Sequence, residues 1–236
     1  IGNLETTLSN KNFSGYPQLC APWHLARDPK RSGIDILTTN NNHSCDKGAN
    51  GIRNTIYYLD SLNIRHTGTF TDSNAWKAQH PLYIRQGQFK IALLSYTYGT
   101  NGIPVPPGQV VSMIDTFHMA REIEKARLDT ATNIIVCMHW GIEYETRPNM
   151  EQKRLASFLH RCGADIVIGS HPHVVQPLEY HIEGKDTTGL TVYSLGNFIS
   201  GQIGVEKLTG LMMEVTIKKH VDEQGNSSVS VINPKA

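Results

Sequence analysis

Three apolar runs in this chain end in a polar segment that carries histidine: GIDILTTNNNH, TNIIVCMHWG and ADIVIGSHPH. A turn that needs only its backbone satisfied is made readily by Gly, Ser or Asp, so amide and imidazole groups at all three ends point to chemistry. Imidazole, amide oxygen and carboxylate together suit Zn, Mn or Fe better than Ca or Mg, and an imidazole can also move protons near neutral pH. In open α/β sheets, ligand sites lie beyond the carboxyl ends of the strands. Three such ends side by side would collect Asn42, His43, His139, His171 and His173 in one place. Each alone reads as an ordinary turn residue, and it is the repetition at successive strand ends that argues for a site. His171 and His173 are two apart, which in extended chain sends side chains to opposite faces. Pro172 between them turns the backbone, so both rings can reach neighbouring cations. A carboxylate is still needed to bridge two cations, and Glu5 in GNLETTL supplies it at another strand-to-loop junction.

The elements that must position these groups are legible in outline. GIDILTT (33–39), IRHTGTF (64–70), FKIALLSYTYG (89–99), TNIIVCMHWG (132–141) and ADIVIGS (164–170) read as strands. Ile52, Ile56, Leu59 and Leu62 recur at helical spacing after Asp46, with Gly48 and Gly51 weakening the first turn. Ser112 and Asp115 resemble a capping box ahead of a helix whose face is Ile114, Phe117, Ala120 and Ile123. Pro148 can open a further helix with the face Leu155, Phe158, Leu159 and Cys162, and Gly163 ends it. GIPVPPGQ (102–109) is a loop, because its prolines remove backbone donors. After residue 173 come only strand-like runs, VVQPLEYHI, LTVYSLGNF, GLMMEVTIKK and SSVSVIN. The chain therefore reads as an α/β core followed by strands that form a second, largely antiparallel sheet.

The 236 residues fit one α/β domain or two small ones, with one preferred, and a net charge of +1 leaves no basic footprint for nucleic acid. Mean hydropathy is −0.32, and no apolar run approaches the roughly 18 residues of a membrane span. The four cysteines, Cys20, Cys45, Cys137 and Cys162, are scattered with no CxxC pair, which argues against a structural zinc knuckle. Cys137 and Cys162 sit in apolar patterns and read as buried thiols rather than bridges. Ser residues offer no GxSxG elbow.

Several longer stretches make the chain recognisable. NLETTL, NNNHSCDKGANGIRNTIYYLD, HTGTF, HWGIEYETRPNMEQKRLASFL, GADIVIGSHPHVVQPLEY and YSLGNFISGQ occur in that order across residues 2–202. They resemble the poly-gamma-glutamate capsule biosynthesis (CapA) family, a branch of the calcineurin-like metallophosphoesterases, with HWGxEY and GSHPHVVQ the most specific. The resemblance implies an α/β/β/α sandwich of two mixed sheets flanked by helices, as a single domain over residues 1–236. It implies two divalent metal ions (Mn, Zn or Fe) held by Glu5, Asn42, His139, His171 and His173, with His43 as the acid that protonates the leaving oxygen. By the same pattern Glu143, Arg147 and Asn197 line the cleft against substrate, while Gln176 packs beside the GSHPH turn. The superfamily's first motif, Gly-Asp after an N-terminal strand, is not among these residues. The expectation is a trimmed chain that lacks that strand and one metal-binding Asp. The residue after Asn-His is Ser44, where the superfamily carries Glu or Asp.

The activity implied is metal-dependent hydrolysis of a phosphoester, in which bound cations activate water and polarise a phosphoryl oxygen. The rival reading is a non-catalytic capsule-assembly component that holds an anionic polymer in the same cleft. Either role implies a cell-envelope, extracytoplasmic location, with an anchor upstream of Ile1 and membrane-bound capsule-synthesis subunits as partners.

Overall fold

The computed structural model describes residues 1–183, 186–221 and 227–235, and the chain falls into two units, residues 1–82 with 94–115 and residues 83–93 with 116–236. In the first, β1 (Gly2–Asn3), β2 (Thr7–Ser9) and β3 (Cys20–Pro22) precede helix α1 (His24–Arg31), strand β4 (Ile36–Thr38) and helix α2 (Gly48–Ser61). Then come β5 (Arg65–Thr67), β6 (Thr69–Phe70) and α3 (Ser73–Gln79). β4 is the middle of a three-stranded parallel sheet, with Asn3 opposite Thr38 and Thr38 opposite Thr67. Its apolar side chains join a core of Leu4, Leu8, Ala26, Leu37, Leu59 and Ile64.

Two features of this unit differ from the sequence reading. IRHTGTF is not one strand but two, broken at Gly68, whose φ is +111°. A Cβ there would lie 2.0 Å from the amide oxygen of Asn40, so only glycine lets the Asn40 side chain pass. Gly51 likewise does more than weaken α2. Its missing side chain admits Thr7, whose Cγ2 would stand 2.9 Å from a Cβ, and Thr55 on the same helix accepts a hydrogen bond from the Leu8 amide at 2.9 Å.

The remaining elements are β7 (Leu82–Gln86), β8 (Phe89–Thr97), β9 (Val110–Val111), α4 (Thr116–Leu128), β10 (Asn133–His139), α5 (Met150–Cys162), β11 (Ile166–Ser170), β12 (Leu178–Glu183), β13 (Asp186–Val192), β14 (Glu214–Val221) and β15 (Ser227–Lys235). A six-stranded mixed sheet runs β12-β13-β11-β10-β8-β7. Every residue of β10 is buried, as expected of a strand in the interior of a sheet covered on both faces. β10 and β11 are parallel, as are β11 and β13, while β12 is antiparallel to β13. The C-terminal strands therefore do not form one separate sheet. β12 and β13 extend the central one, and only β14 and β15 pair by themselves.

Both expected helix faces hold in part, at Ile123 on α4 and at Leu155 and Leu159 on α5. On α4 the buried residues are Met119, Ile123 and Ala126, and Phe117 is 64% exposed with the Arg121 guanidinium over its ring. The helix begins at Thr116, and Ser112 is no cap: it is buried, and its amide donates to Gly68 O at 2.8 Å. α5 is opened by Asn149 rather than Pro148, in a capping box with Gln152, and buries Gln152, Leu155, Ala156 and Leu159. Gly163 closes it with φ +107°. All four cysteines are free thiols. Cys137 is buried, which pushes its pKa up to about 12, and Cys162 is half-buried.

His160, near the end of α5, shows what burial does to an imidazole. Its Nδ1 donates to Ala164 O at 2.8 Å, its Nε2 accepts from the Thr191 hydroxyl at 2.8 Å, and its ring lies 3.7 Å from that of His181. Burial first, and then the neighbouring His181, bring its pKa down to about 4. The folded state thus resists a proton that the unfolded chain accepts below an ordinary value of about 6.5. Stability from this group is complete above that value and is lost as pH falls through the interval down to about 4. His160→Gln should flatten this acid limb by about 2–3 kcal/mol relative to the unmodified protein, measured by urea denaturation across that interval.

Candidate functional site

In the first unit, the groups singled out by sequence lie just past the carboxyl edge of β1, β4 and β5. Asn40, Asn41, Asn42, His43, Ser44 and Asp46 are all buried, which obliges them to find partners. Asn40 is scaffold: its Nδ2 donates to Ser112 O at 3.1 Å and its Oδ1 accepts from Ser95 Oγ at 2.6 Å. Asn41 is a stitch. Its Nδ2 donates to Leu4 O at 2.7 Å and to Asn3 Oδ1 at 3.3 Å, while its Oδ1 accepts from the His43 amide at 3.1 Å. Asn3 in turn donates to Glu5 Oε2 at 3.2 Å. One amide side chain therefore ties the segment bearing Glu5 to the backbone of His43. Ser44, in place of the superfamily's acid, accepts from the Asn41 amide at 2.7 Å and donates to Thr39 O at 2.8 Å, closing the loop on itself. Asn42, beside them, is 2% exposed.

The residue sequence reasoning missed is Asp46. Its Oδ2 stands 2.7 Å from His43 Nδ1 and accepts the Leu19 amide at 2.5 Å, with the two side chains 8% and 0% exposed. A carboxylate accepts, so His43 carries its proton on Nδ1 and turns Nε2 outward from the pair. The signal was the (i, i+3) spacing His43–Asp46 in a tight turn, masked because Asp46 also reads as a helix start.

In the second unit, parallel register does the positioning. His139 is opposite Ser170 on adjacent strands, so His139 and His171 leave the sheet at the same level. Their ring centroids are 4.8 Å apart, and His171 and His173 are 6.1 Å apart. His139 Nδ1 is 3.0 Å from Ser170 Oγ. Both His171 (φ +99°) and His173 (φ +61°) sit in the left-handed region, which L-residues enter at a cost. The turn is held where the Tyr144 amide donates to Pro172 O at 2.8 Å. Gln176 is more than packing: its Oε1 accepts from Gln152 Nε2 at 2.8 Å and its Nε2 donates to Glu145 O at 2.7 Å, fastening the 141–149 loop to α5.

The three residues expected against substrate are placed differently. Glu143 and Arg147 lie exposed on that loop, and among the described residues no hydrogen bond or ion pair fixes either to the imidazoles. Asn197 faces a histidine instead, its Oδ1 being 2.9 Å from His173 Nδ1. The imidazoles of the second unit are donors of the kind that divalent Zn, Mn or Fe takes.

Asp46→Ala leaves the His43 ring and the Leu19 amide without their buried acceptor. It should cost about 2–4 kcal/mol of stability, read as a shift in the denaturation midpoint of the full chain.

Known proteins can now be set beside this geometry. The chain is 28% identical over 244 residues to the "Capsule biosynthesis protein CapA" of Bacillus anthracis, covering 98% of this chain and 56% of that one. It is 28% identical over 238 residues to the "PGA biosynthesis protein CapA" of Bacillus subtilis (strain 168), covering 93% and 57%. It thus spans a little over half the length of these relatives. Among solved structures, the Haemophilus influenzae NAD nucleotidase NadN aligns with a TM-score of 0.51 at 11% identity, covering 87% of this chain and 40% of that one. The sulfate thiohydrolase SoxB (Thermus thermophilus) aligns with 0.50 at 17%, covering 88% and 34%. These likenesses show the fold, an α/β class with mixed sheets and flanking helices. A family model described as bacterial capsule synthesis protein PGA_cap matches residues 1–202, and the chain belongs to that family.

Proposed function

We propose that this chain is a metal-dependent, phosphoesterase-type hydrolase working in capsule (poly-gamma-glutamate) biosynthesis or export at the cell envelope. Glu5, Asn42, His139, His171 and His173 hold two divalent cations, of Mn, Zn or Fe. The observation that carries this reading is the trio of imidazoles at the carboxyl end of β10 and β11, with His139 and His171 rings 4.8 Å apart. Imidazoles so close, on strands fixed by register, suit shared cation binding better than separate turn roles. Cations bound there would supply Lewis-acid polarisation and an activated water.

The chain's own groups supply the rest. His43 delivers a proton to the departing oxygen from Nε2, since Nδ1 is committed to Asp46 at 2.7 Å. Asp46 holds the ring's orientation through that contact. Burial of the pair keeps bulk water from competing for it. Arg147, exposed on the 141–149 loop, would meet an anionic substrate through its charge. The relatives' names support the capsule assignment. Among the described residues no helix is long and apolar enough to cross a membrane.

A second reading has the same donors hold an anionic polymer without turning it over. It is favoured by the Lys207 ammonium, 4.9 Å above the Tyr144 ring, which in turn stacks 5.9 Å from His173. The two separate on the full-length protein. Hydrolysis predicts bound metal and turnover of an aryl phosphate ester. His139→Ala and His171→Ala should each lower bound metal at least about tenfold by elemental analysis. His43→Ala should keep its metal and lose roughly 10²–10⁴ in turnover. Bound metal with no ester cleavage would sink the hydrolase reading, and unchanged metal in both alanine variants would sink the ligand assignment.

A further inference from the structure

Asn197 was expected to touch substrate, yet its amide is fully engaged with protein. Its Nδ2 donates to the Lys207 backbone oxygen at 2.9 Å and to Gln202 Oε1 at 3.1 Å. The first of these contacts decides which way round the amide lies. A backbone carbonyl can only accept, so the atom facing Lys207 O has to be the NH₂ group. The other amide atom, facing His173 Nδ1 at 2.9 Å, is then the oxygen. An amide oxygen also only accepts, so Nδ1 of His173 has to carry the hydrogen. The lone pair of the neutral ring is then on Nε2. The deduction needs no hydrogen to be seen, because it runs from one atom whose role is fixed.

The carbonyl at the start of this chain of constraints is itself held in place. Lys207 lies in a 3-10 turn, Val205–Leu208, and its amide and that of Leu208 both donate to Gly204 O, at 3.1 and 3.0 Å. Further on, Gln202 uses its oxygen for Asn197, so its Nε2 donates to the Tyr144 hydroxyl at 3.3 Å. The loop around this turn has little apolar anchorage: Ile203 and Val205 are 85% and 82% exposed. It is tied down chiefly through polar contacts, Asn197 among them, together with the Leu211 amide on Leu195 O at 2.7 Å.

We propose that Asn197 is a positioning residue that commits His173 to the Nδ1–H tautomer and so presents Nε2 as a cation donor, with the 197–208 loop as its brace. The proposal rests on the reading of His173 as a metal ligand, and it makes a claim that can be tested without metal. Neutral histidine in water favours the opposite tautomer, so the arrangement has to be imposed by the protein. Ligating histidines commonly donate their second ring nitrogen to a carbonyl or carboxylate, and loss of that partner costs 10–100-fold in affinity.

The test uses the full-length protein labelled with ¹⁵N-histidine, stripped by chelator and read by long-range ¹H–¹⁵N correlation at alkaline pH. The unmodified protein should show His173 as a single Nδ1–H tautomer. Asn197→Ala should populate the Nε2–H form and weaken Mn or Zn binding by roughly 10–100-fold in calorimetric titration. Asn197→Asp keeps an oxygen acceptor for Nδ1 but loses the donor to Lys207 O, so it should retain the tautomer. That variant covers the case in which the alanine variant fails to fold. An Nδ1–H tautomer that survives Asn197→Ala, or is lost in Asn197→Asp, overturns the proposal. A tautomer that changes in Asn197→Ala while metal affinity stays the same leaves the positioning claim standing and overturns the reading of His173 as a ligand.

Discussion

The parallel register of β10 against β11 is the constraint on which the histidine trio depends. With His139 opposite Ser170, a slip of one residue would turn every side chain of the strand to the other face. Packing at the strand ends blocks such a slip. Trp140 Nε1 donates to Tyr193 O at 3.0 Å, and a Cβ on Gly169 would stand 1.9 Å from that same oxygen and 2.5 Å from the Trp140 nitrogen. Glycine at 169 is therefore what lets β13 and the Trp140 ring close over β11. Donor groups for a cation have to be held within about half an ångström to be useful. A sheet end pinned in this way offers that, whereas a free loop does not.

A different rule organises the NNNH segment. Six polar side chains are buried within seven residues, from Asn40 to Asp46. Each would cost about 1–3 kcal/mol if left without a partner. The expense is avoided because Asn40, Asn41 and Ser44 bond one another, neighbouring strands and nearby backbone. The asparagines that looked equivalent in sequence thus divide by job. Asn40 and Asn41 make the cradle, Asn41 holding the backbone of His43. Satisfied buried networks of this kind also fix a single conformation, which a proton donor needs as much as a ligand does.

What the sequence made legible was whatever repeats or terminates sharply. β10, β11 and α5 come from uninterrupted apolar runs, a helical period and a closing glycine, and His139, His171 and His173 follow from where those runs stop. What it concealed depended on partners distant in the chain. Gly68 breaks a strand because of Asn40, and nothing local announces that. The face of α4 was misjudged because Phe117, apolar by type, lies under Arg121 at the surface, which leaves Met119 to go inward. β12 and β13 carry no mark of which sheet they join, since an antiparallel hairpin has the same pattern at the edge of a mixed sheet as in a sheet of its own. The contacts of Asp46 and Asn197 with histidine escaped for a common reason. A carboxylate or amide that serves a histidine is indistinguishable by type from a helix start or a turn former until its acceptor atoms have been located.

The backbone at His171 and His173 bears on which role those residues have. Left-handed backbone at a non-glycine residue costs about 1–3 kcal/mol and persists only where its surroundings over-determine it. Here they do: the Tyr144 amide holds Pro172 O, and Asn197 holds the His173 ring. Glycine at either position would relieve the strain and make the same turn. A chain that needed only to reverse direction after β11 gains nothing from two imidazoles in that conformation. The strain becomes intelligible when the rings themselves are the purpose of the turn, because positive φ at both ends of a single proline brings two side chains of an extended segment, normally opposed, to within 6.1 Å of each other.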